Sequence, residues 1–224
     1  MKLNKIVSTS LLTLLITFSS FSCANAHHIP KQKDLQPVLN VYVNGFDDKC
    51  KTLVSKETKA LLDDVWLKQV GVKVNPIYID RTGDRYNELL ESDKPVDIWN
   101  SVNHLFARGN FVEEYPNKTN QAIAVCDYYS NVGEQGETKV TYGTTVINLG
   151  VILMGLKLHD MDNYELGFSH EVGHVLGLLH NEEDKHNHMY PAIDYADGRL
   201  TKEQIEFVHK NLLFNRFVTW VEKN

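Results

Sequence analysis

The sequence predicts an α+β domain built on five strands, and three observations carry that reading. Short runs of period-two apolar alternation recur through the first two thirds of the chain. A helical stretch separates the first two of them. A second helical stretch, with unusual chemical contents, follows the last. Leu39, Val41 and Val43 alternate as a first strand. Between residues 52 and 69, Val54, Leu61, Leu62, Val65 and Trp66 recur at helical spacing, and Gly71 supplies a stop. Val72, Val74, Ile77 and Ile79 form a second strand, in which Pro76 points to an edge or a bulge. Strand, helix, strand in that order is a crossover unit and requires parallel pairing. A third strand is expected at 95–102, where Val96, Ile98 and Val102 alternate. Residues 103–120 lack a period, hold Gly109 and Pro116, and read as a long loop. Residues 122–129 and 139–149 read as two further strands joined in a hairpin.

Asp162-Asn163-Tyr164-Glu165 has the form of a capping box, so a helix is expected from there to about Leu176. Along it and just beyond lies His170-Glu171-Val172-Gly173-His174-Val175-Leu176-Gly177-Leu178-Leu179-His180, an HExxHxxGxxH pattern. At about 3.6 residues per turn, His170 and His174 stand one turn apart on one face and can reach a single ion. Glu171 lies roughly 100° round from His170, beside such an ion, where a general base belongs. Gly177 lets the chain leave the helix at positive φ, and the turn brings His180 back as a third ligand. Three neutral imidazoles leave the fourth corner of a zinc tetrahedron open, as a catalytic site requires. A bare HExxH arises by chance in surface helices. The extended form fixes five positions, three of them His, and chance is a poor account of it.

Nine residues past His180 stands Met189, followed by Tyr190 and Pro191. With that methionine the chain resembles the metzincin clan of zinc peptidases, in which a Met-turn underlies the metal. Met-Tyr-Pro is most similar to the matrixin branch. The resemblance rests on residues 162–195. It implies a twisted, mostly parallel five-stranded sheet with a backing helix, a zinc-site helix and a small C-terminal helical subdomain. It further implies one catalytic Zn2+ on His170, His174 and His180, with Met189 as the Met-turn. The implied activity is a zinc endopeptidase acting on a protein or peptide substrate, in which Glu171 serves a zinc-bound water as general base and acid. Substrate would lie extended along an edge strand, for which the resemblance suggests 122–129, and Pro191-Ala192-Ile193 would wall the pocket beyond the scissile bond. Three departures stand out. No cysteine-containing pro-peptide motif of the matrixin kind is present. Pro191 occupies the position where astacins and serralysins place a liganding Tyr, so Tyr190 is not expected to bind zinc. Ser130-Asn131-Val132-Gly133 and Gln135-Gly136 are similar to the astacin strand upstream of the zinc helix.

Lys2 and Lys5 precede an apolar run around Leu11, Leu12, Leu14, Leu15 and Ile16, and Ala24-Asn25-Ala26 fits a small-x-small cleavage site. Residues 1–26 therefore read as a signal peptide. Cys23 offers a lipoprotein alternative, but Ser20 stands where a lipobox prefers Leu. Residues 27–224 are expected to form a single catalytic domain, with a polar leader over 27–36, an N-terminal subdomain over 37–180 and a C-terminal one over 181–224. With no cysteine left in the leader to hold the metal, activity without a zymogen step is expected. Cleavage after Ala26 leaves 198 of the 224 residues, enough for one sizeable core. The signal carries two lysines and no acid, so the net charge passes from −6 to −8. That balance argues against nucleic acid and against anionic membranes, and no later stretch is long and apolar enough to span a bilayer. A monomer, secreted or periplasmic and without stable membrane association, is the expectation.

Removing Cys23 leaves Cys50 and Cys126, which in an exported protein read as one disulfide, with two free thiols as the alternative. Thr201 and Gln204 form another capping box before a helix bearing Ile205, Val208, Leu212, Phe217 and Val221. His186 and His188 read as a solvated loop, a second metal being the sharper reading. His104, His159 and His209 read as structural or exposed. The Glu182-Glu183-Asp184 run reads as a solvated face that would favour basic substrates if it rims the cleft. Two other functions fit parts of the pattern. A secreted binding module on the same zinc scaffold would have no need of Glu171, and a hydrolase of non-protein amides would use the same machinery.

Overall fold

The computed structural model describes residues 34–45, 48–80, 101–128, 143–146, 149–155, 163–192 and 196–223. Strand β1 (Leu35–Gly45) opens it, two residues inside the expected leader, and buries Leu39, Val41 and Val43. A 3-10 stretch (Asp48–Val54) leads to helix α1 (Lys56–Leu62). Ser55 caps that helix, its hydroxyl accepting the Thr58 amide at 3.0 Å. The helical run continues through a π-type turn (Asp63–Leu67) and a last turn (Lys68–Val70), and the wide turn carries both Val65 and Trp66 into the core. Gly71, at φ +75°, ends it. Strand β2 (Lys73–Asp80) then runs parallel to β1, completing the expected crossover. It is an outer strand, which suits Pro76.

Helix α2 (Ser101–Glu114) and a short 3-10 turn (Pro116–Lys118) follow. They replace the expected loop over 103–120. Of the expected strand at 95–102, residues 95–100 lie outside the described residues, and Ser101 and Val102 open the helix. The reason lies in the next strands, β3 (Ala122–Tyr128), β4 (Gly143–Val146) and β5 (Val151–Gly155). Ala122, Ala124, Cys126, Ile152 and Met154 join the core on one face of the sheet, while Ile123, Val125, Val151 and Leu153 are buried on the other. Strands apolar on both faces need a second cover. Helix α2 supplies it through Ala107 and Phe111, one turn apart.

The strand order is β2-β1-β3-β5-β4, mostly parallel. Strand β3 runs parallel to both β1 and β5. The expected hairpin between 122–129 and 139–149 is therefore not formed; β4 pairs antiparallel with β5 instead. This also corrects the expected substrate strand, because 122–128 is interior and β4 is the edge.

Helix α3 (Tyr164–Val175) packs on β4, β5 and α1. Helix α4 (Lys202–Asn211) begins at the expected capping box, with both Thr201 and Gln204 contacts made. It does not extend to Val221. Asn215 turns the chain, donating to the Val175 carbonyl at 2.9 Å and accepting the Phe217 amide at 3.0 Å. Strand β6 (Val218–Glu222) then pairs antiparallel with Leu35–Leu39 of β1. The C-terminal segment is thus a helix and a strand, and that strand is what draws Leu35 and Gln36 out of the expected leader. Among the described residues no helix is long and apolar enough to cross a membrane.

Cys50, in the 3-10 stretch, is joined to Cys126 on β3, with Cα atoms 5.9 Å apart and both residues in the core. The bridge closes 76 residues, a constraint that chain entropy rates at about 4.5 kcal/mol. Reduction, or the double change Cys50→Ala/Cys126→Ala, is expected to lower the thermal midpoint by on the order of 10 °C. Calorimetry with and without reductant checks this, and superimposable transitions would refute it.

Candidate metal centre

Helix α3 is entered through Asn163 at φ 73°, in the left-handed region that Asn tolerates. Its side chain makes no capping bond, and Asp162 of the expected capping box lies outside the described residues. The exit follows expectation. Gly177 sits at φ +95°, its amide donates to the His174 carbonyl at 2.9 Å, and the Leu178 amide donates to Gly173 at 3.0 Å. These two bonds make a Schellman turn, whose left-handed residue is best served by glycine. Beyond it the chain doubles back and sets His180 against the helix.

The three histidines meet there. Their ring centroids lie 4.9 Å (His170–His174), 5.2 Å (His170–His180) and 4.8 Å (His174–His180) apart. One ligating nitrogen from each falls within 4.8 Å of the others. The imidazoles are oriented from behind: His170 Nδ1 lies 2.8 Å from the His188 carbonyl, and His174 Nδ1 lies 2.7 Å from that of Leu178. A carbonyl can only accept, so each Nδ1 carries the proton and each Nε2 keeps its lone pair. The His174 and His180 Nε2 atoms are 3.2 Å apart. Two nitrogens of one tetrahedral zinc, each at 2.0–2.1 Å, would stand roughly 3.3 Å apart. The cluster fits a zinc ion. Burial pushes His170 down to about 3, with His174 adding to the effect, and burial also lowers His174 and His180. Burial thus disfavours the charged form of each, and the neutral form is the one a ligand needs.

Glu171 is buried beside the cluster. Its Oε2 accepts the Thr145 hydroxyl at 2.6 Å. Burial raises the carboxyl to about 7, opposed by the Thr145 bond. Thr145 belongs to β4, so the edge strand and the carboxyl are coupled directly. Sequence reasoning does not single out Thr145, since one threonine in a strand carries no motif. His188 is likewise missed. Far from solvated, it is fully buried, edge-on to Trp66 at 5.4 Å, with Nε2 3.0 Å from Ser169 Oγ. That hydroxyl also accepts Trp66 Nε1 at 3.0 Å. His188 Nδ1 has no hydrogen-bond partner among the described residues. Trp66 and Ser169 thus hold the residue whose carbonyl orients His170. His209, as expected, is structural, bonding the Val70 carbonyl at 2.7 Å.

Met189 is buried under α3. Its amide donates to Asn187 Oδ1 and its carbonyl accepts the Asn181 amide, each at 2.8 Å. Asn187 and Gln204 exchange side-chain bonds of 2.8 and 3.1 Å, tying this turn to the start of α4. A Cβ on Gly173 would stand 2.4 Å from Met189 Sδ and 3.0 Å from Trp66 Cη2. A side chain at this glycine inside the HExxH span would have to push the buried Met189 thioether or the Trp66 ring aside. Gly173→Ala gains about 1 kcal/mol in helix propensity, yet overpacking here is expected to outweigh it and cost about 1–3 kcal/mol. Denaturant unfolding of the metal-free protein measures the balance, and a variant as stable as the parent would show the contact to be slack. Pro191 and Ala192 are exposed, and Ile193 lies outside the described residues.

No protein-family model matches the chain, and no curated protein matches it in sequence. Solved structures do match. A zinc-dependent peptidase from Methanocorpusculum labreanum aligns at a TM-score of 0.52 and 16% identity, over 75% of this chain and 99% of that one. Metalloproteinase-II from Bacteroides fragilis aligns at 0.50 and 11% identity, over 78% of this chain and 53% of that one, so the chain spans about half its length. At such identities the likeness speaks to the fold: α+β, with a mostly parallel five-stranded open sheet and helices, similar to zinc peptidase structures.

Proposed function

We propose that the protein is a secreted zinc-dependent endopeptidase of metzincin type, closest to the matrixin branch in its Met-Tyr-Pro sequence. The observation that carries this is a single juxtaposition. Three imidazoles converge, two of them with Nδ1 committed to backbone carbonyls, and a buried carboxyl that belongs to no ligand set sits beside them, bonded to the sheet's edge strand. His170, His174 and His180 would hold the ion. When bound, zinc would supply Lewis acidity, polarising an amide carbonyl and lowering the pKa of water towards ~7.

The rest falls to the chain's own groups. Glu171 takes a proton from the attacking water and carries it to the leaving amine. Its carboxyl suits the task because burial raises its pKa, which makes it a better proton acceptor than an exposed carboxylate. Thr145 holds Oε2 and leaves Oε1 for the proton. Strand β4 has one edge paired to β5 and is the last in the sheet order, so an extended peptide can add to its other edge through main-chain bonds. Met189 serves as a Met-turn, a soft thioether filling the space beneath the ligand-bearing helix. The signal-like first 26 residues and the Cys50–Cys126 bridge support export.

Mass spectrometry of peptides released from a proteome-derived library by the zinc-loaded protein tests the proposal and reads its specificity. An intact library would sink it. Within the same reading, Thr145→Val is expected to reduce kcat about tenfold, the worth of one hydrogen bond to a charged group, without changing zinc affinity. Steady-state kinetics with metal titration would show a parent-like kcat if the hydroxyl were idle.

A further inference from the structure

A cleft of about 950 Å3 opens at His180, floored by Leu178, Leu179 and Phe207 of α4. Leu179 is 72% exposed and Phe207 46% exposed, so neither is spent on the core. Phe207 lies over the Schellman turn, 3.4 Å from where a Gly177 Cβ would be. Around this apolar floor stand the exposed Glu182, Glu183 and Glu203, and among the described residues the lining holds no Lys or Arg. Of the cations close in sequence, Arg199 Nη2 pairs with Asp197 at 2.7 Å, and Lys202 with Glu206 at 3.7 Å. A second cleft of about 410 Å3 lies beyond Phe207 and contains Phe214 and Arg216 but, among the described residues, no carboxylate.

We propose that the His180 cleft is a substrate subsite selecting peptides with a basic residue next to a bulky apolar one, and that Glu182, Glu183, Glu203, Leu179 and Phe207 determine this specificity. The inference rests on the peptidase reading above and adds the substrate class to it. The volume exceeds one side chain and suits a short segment. Lys and Arg carry an apolar stem and a charged head. The stem lies along Leu179 and Phe207, whose ring face also attracts the cation, and the head meets the carboxylates. Walls of low polarity with charges of one sign focus the field and raise the local concentration of cationic ligand. His180 itself lines the cleft, so the cleft adjoins the metal site at that ligand.

The test measures binding separately from turnover. Fluorescence anisotropy follows a fluorescein-labelled peptide carrying Phe-Lys-Arg in a neutral Gly/Ser/Ala background, against the same peptide with Phe-Gln-Gln. The protein is zinc-loaded Glu171→Gln. The basic peptide is expected to bind on the order of tenfold tighter, with the margin shrinking as salt rises. The triple change Glu182→Gln/Glu183→Gln/Glu203→Gln removes the margin, its Lys counterpart inverts it in favour of an acidic probe, and Phe207→Ala weakens both peptides. Zinc content and thermal midpoint confirm that each variant is folded. Equal binding of the two peptides, or a basic preference that survives the triple change, overturns the assignment. Charge-dependent binding by a protein whose parent cleaves nothing would retain the subsite and remove the peptidase, so the two failures are distinct.

Discussion

Glu171→Ala in the zinc-loaded protein is expected to lose peptide cleavage by on the order of 10²–10⁴-fold while retaining its metal. The carboxyl is a proton carrier in the proposed reaction and not a ligand, so the change removes chemistry and leaves the three imidazoles untouched. The fold should tolerate it. Glu171 is buried, with the Thr145 hydroxyl as the partner of its Oε2, and its pKa stands near 7 against an ordinary 4.5. A carboxyl raised in this way binds protons more readily folded than unfolded. Its contribution to stability is therefore present below about pH 4.5 and is lost as pH rises towards 7. In the metal-free protein, then, Glu171→Ala should narrow the gap in stability between pH 5 and pH 8 relative to the parent. Turnover, metal content and the two melting curves together check the assignment. A zinc-loaded variant that turns over like the parent would eliminate Glu171 as the base.

Much of this site is legible in the sequence because its rules are local. The helical period sets His170 and His174 one turn apart, and Gly177 supplies the one residue type that closes the Schellman turn without strain, so the convergence of His180 follows from eleven consecutive residues. The β1–α1–β2 crossover is equally local. What escapes is set at a distance. His188 sits among Lys185, His186 and Asn187 and reads as loop, yet its burial is determined by Trp66, which reaches Ser169 across 103 positions. Thr145 meets Glu171 across 26. Strand β6 is five residues long and takes its identity from pairing with β1, not from its own pattern.

Helix α2 escapes for a different reason. Gly109 breaks its apolar pattern in the sequence, and among the residues whose side chains are described the fully buried apolar ones are Ala107 and Phe111. The information is present elsewhere. Ala122 to Cys126 and Val151 to Met154 are unbroken apolar runs, the mark of strands covered on both faces. A cover for the second face has to come from the segment whose own sequence reads as a loop. The same runs place 122–128 inside the sheet, which moves the substrate edge to β4 and brings Thr145 next to the carboxyl.

His174→Ala is expected to abolish stoichiometric zinc. The wild-type chain should carry about one zinc per molecule, as one three-ligand site implies. His174 is the central member of the cluster, 4.9 Å from the His170 ring and 4.8 Å from that of His180, and its Nε2 already lies 3.2 Å from the His180 Nε2. Without it two imidazoles remain, and affinity should fall by more than the 10–100-fold typical of losing an outer-shell partner. The helix should survive, since Ala is the better helix former and His174 is only half-buried, unlike His170. Circular dichroism should therefore match the parent while elemental analysis after dialysis shows the metal gone. His209→Ala, at a histidine bonded to the Val70 carbonyl, serves as the control and should keep its zinc. Full zinc occupancy in His174→Ala would break the proposed ligand set. Cleavage by a wild-type protein stripped of metal with a chelator would break the metallopeptidase reading itself.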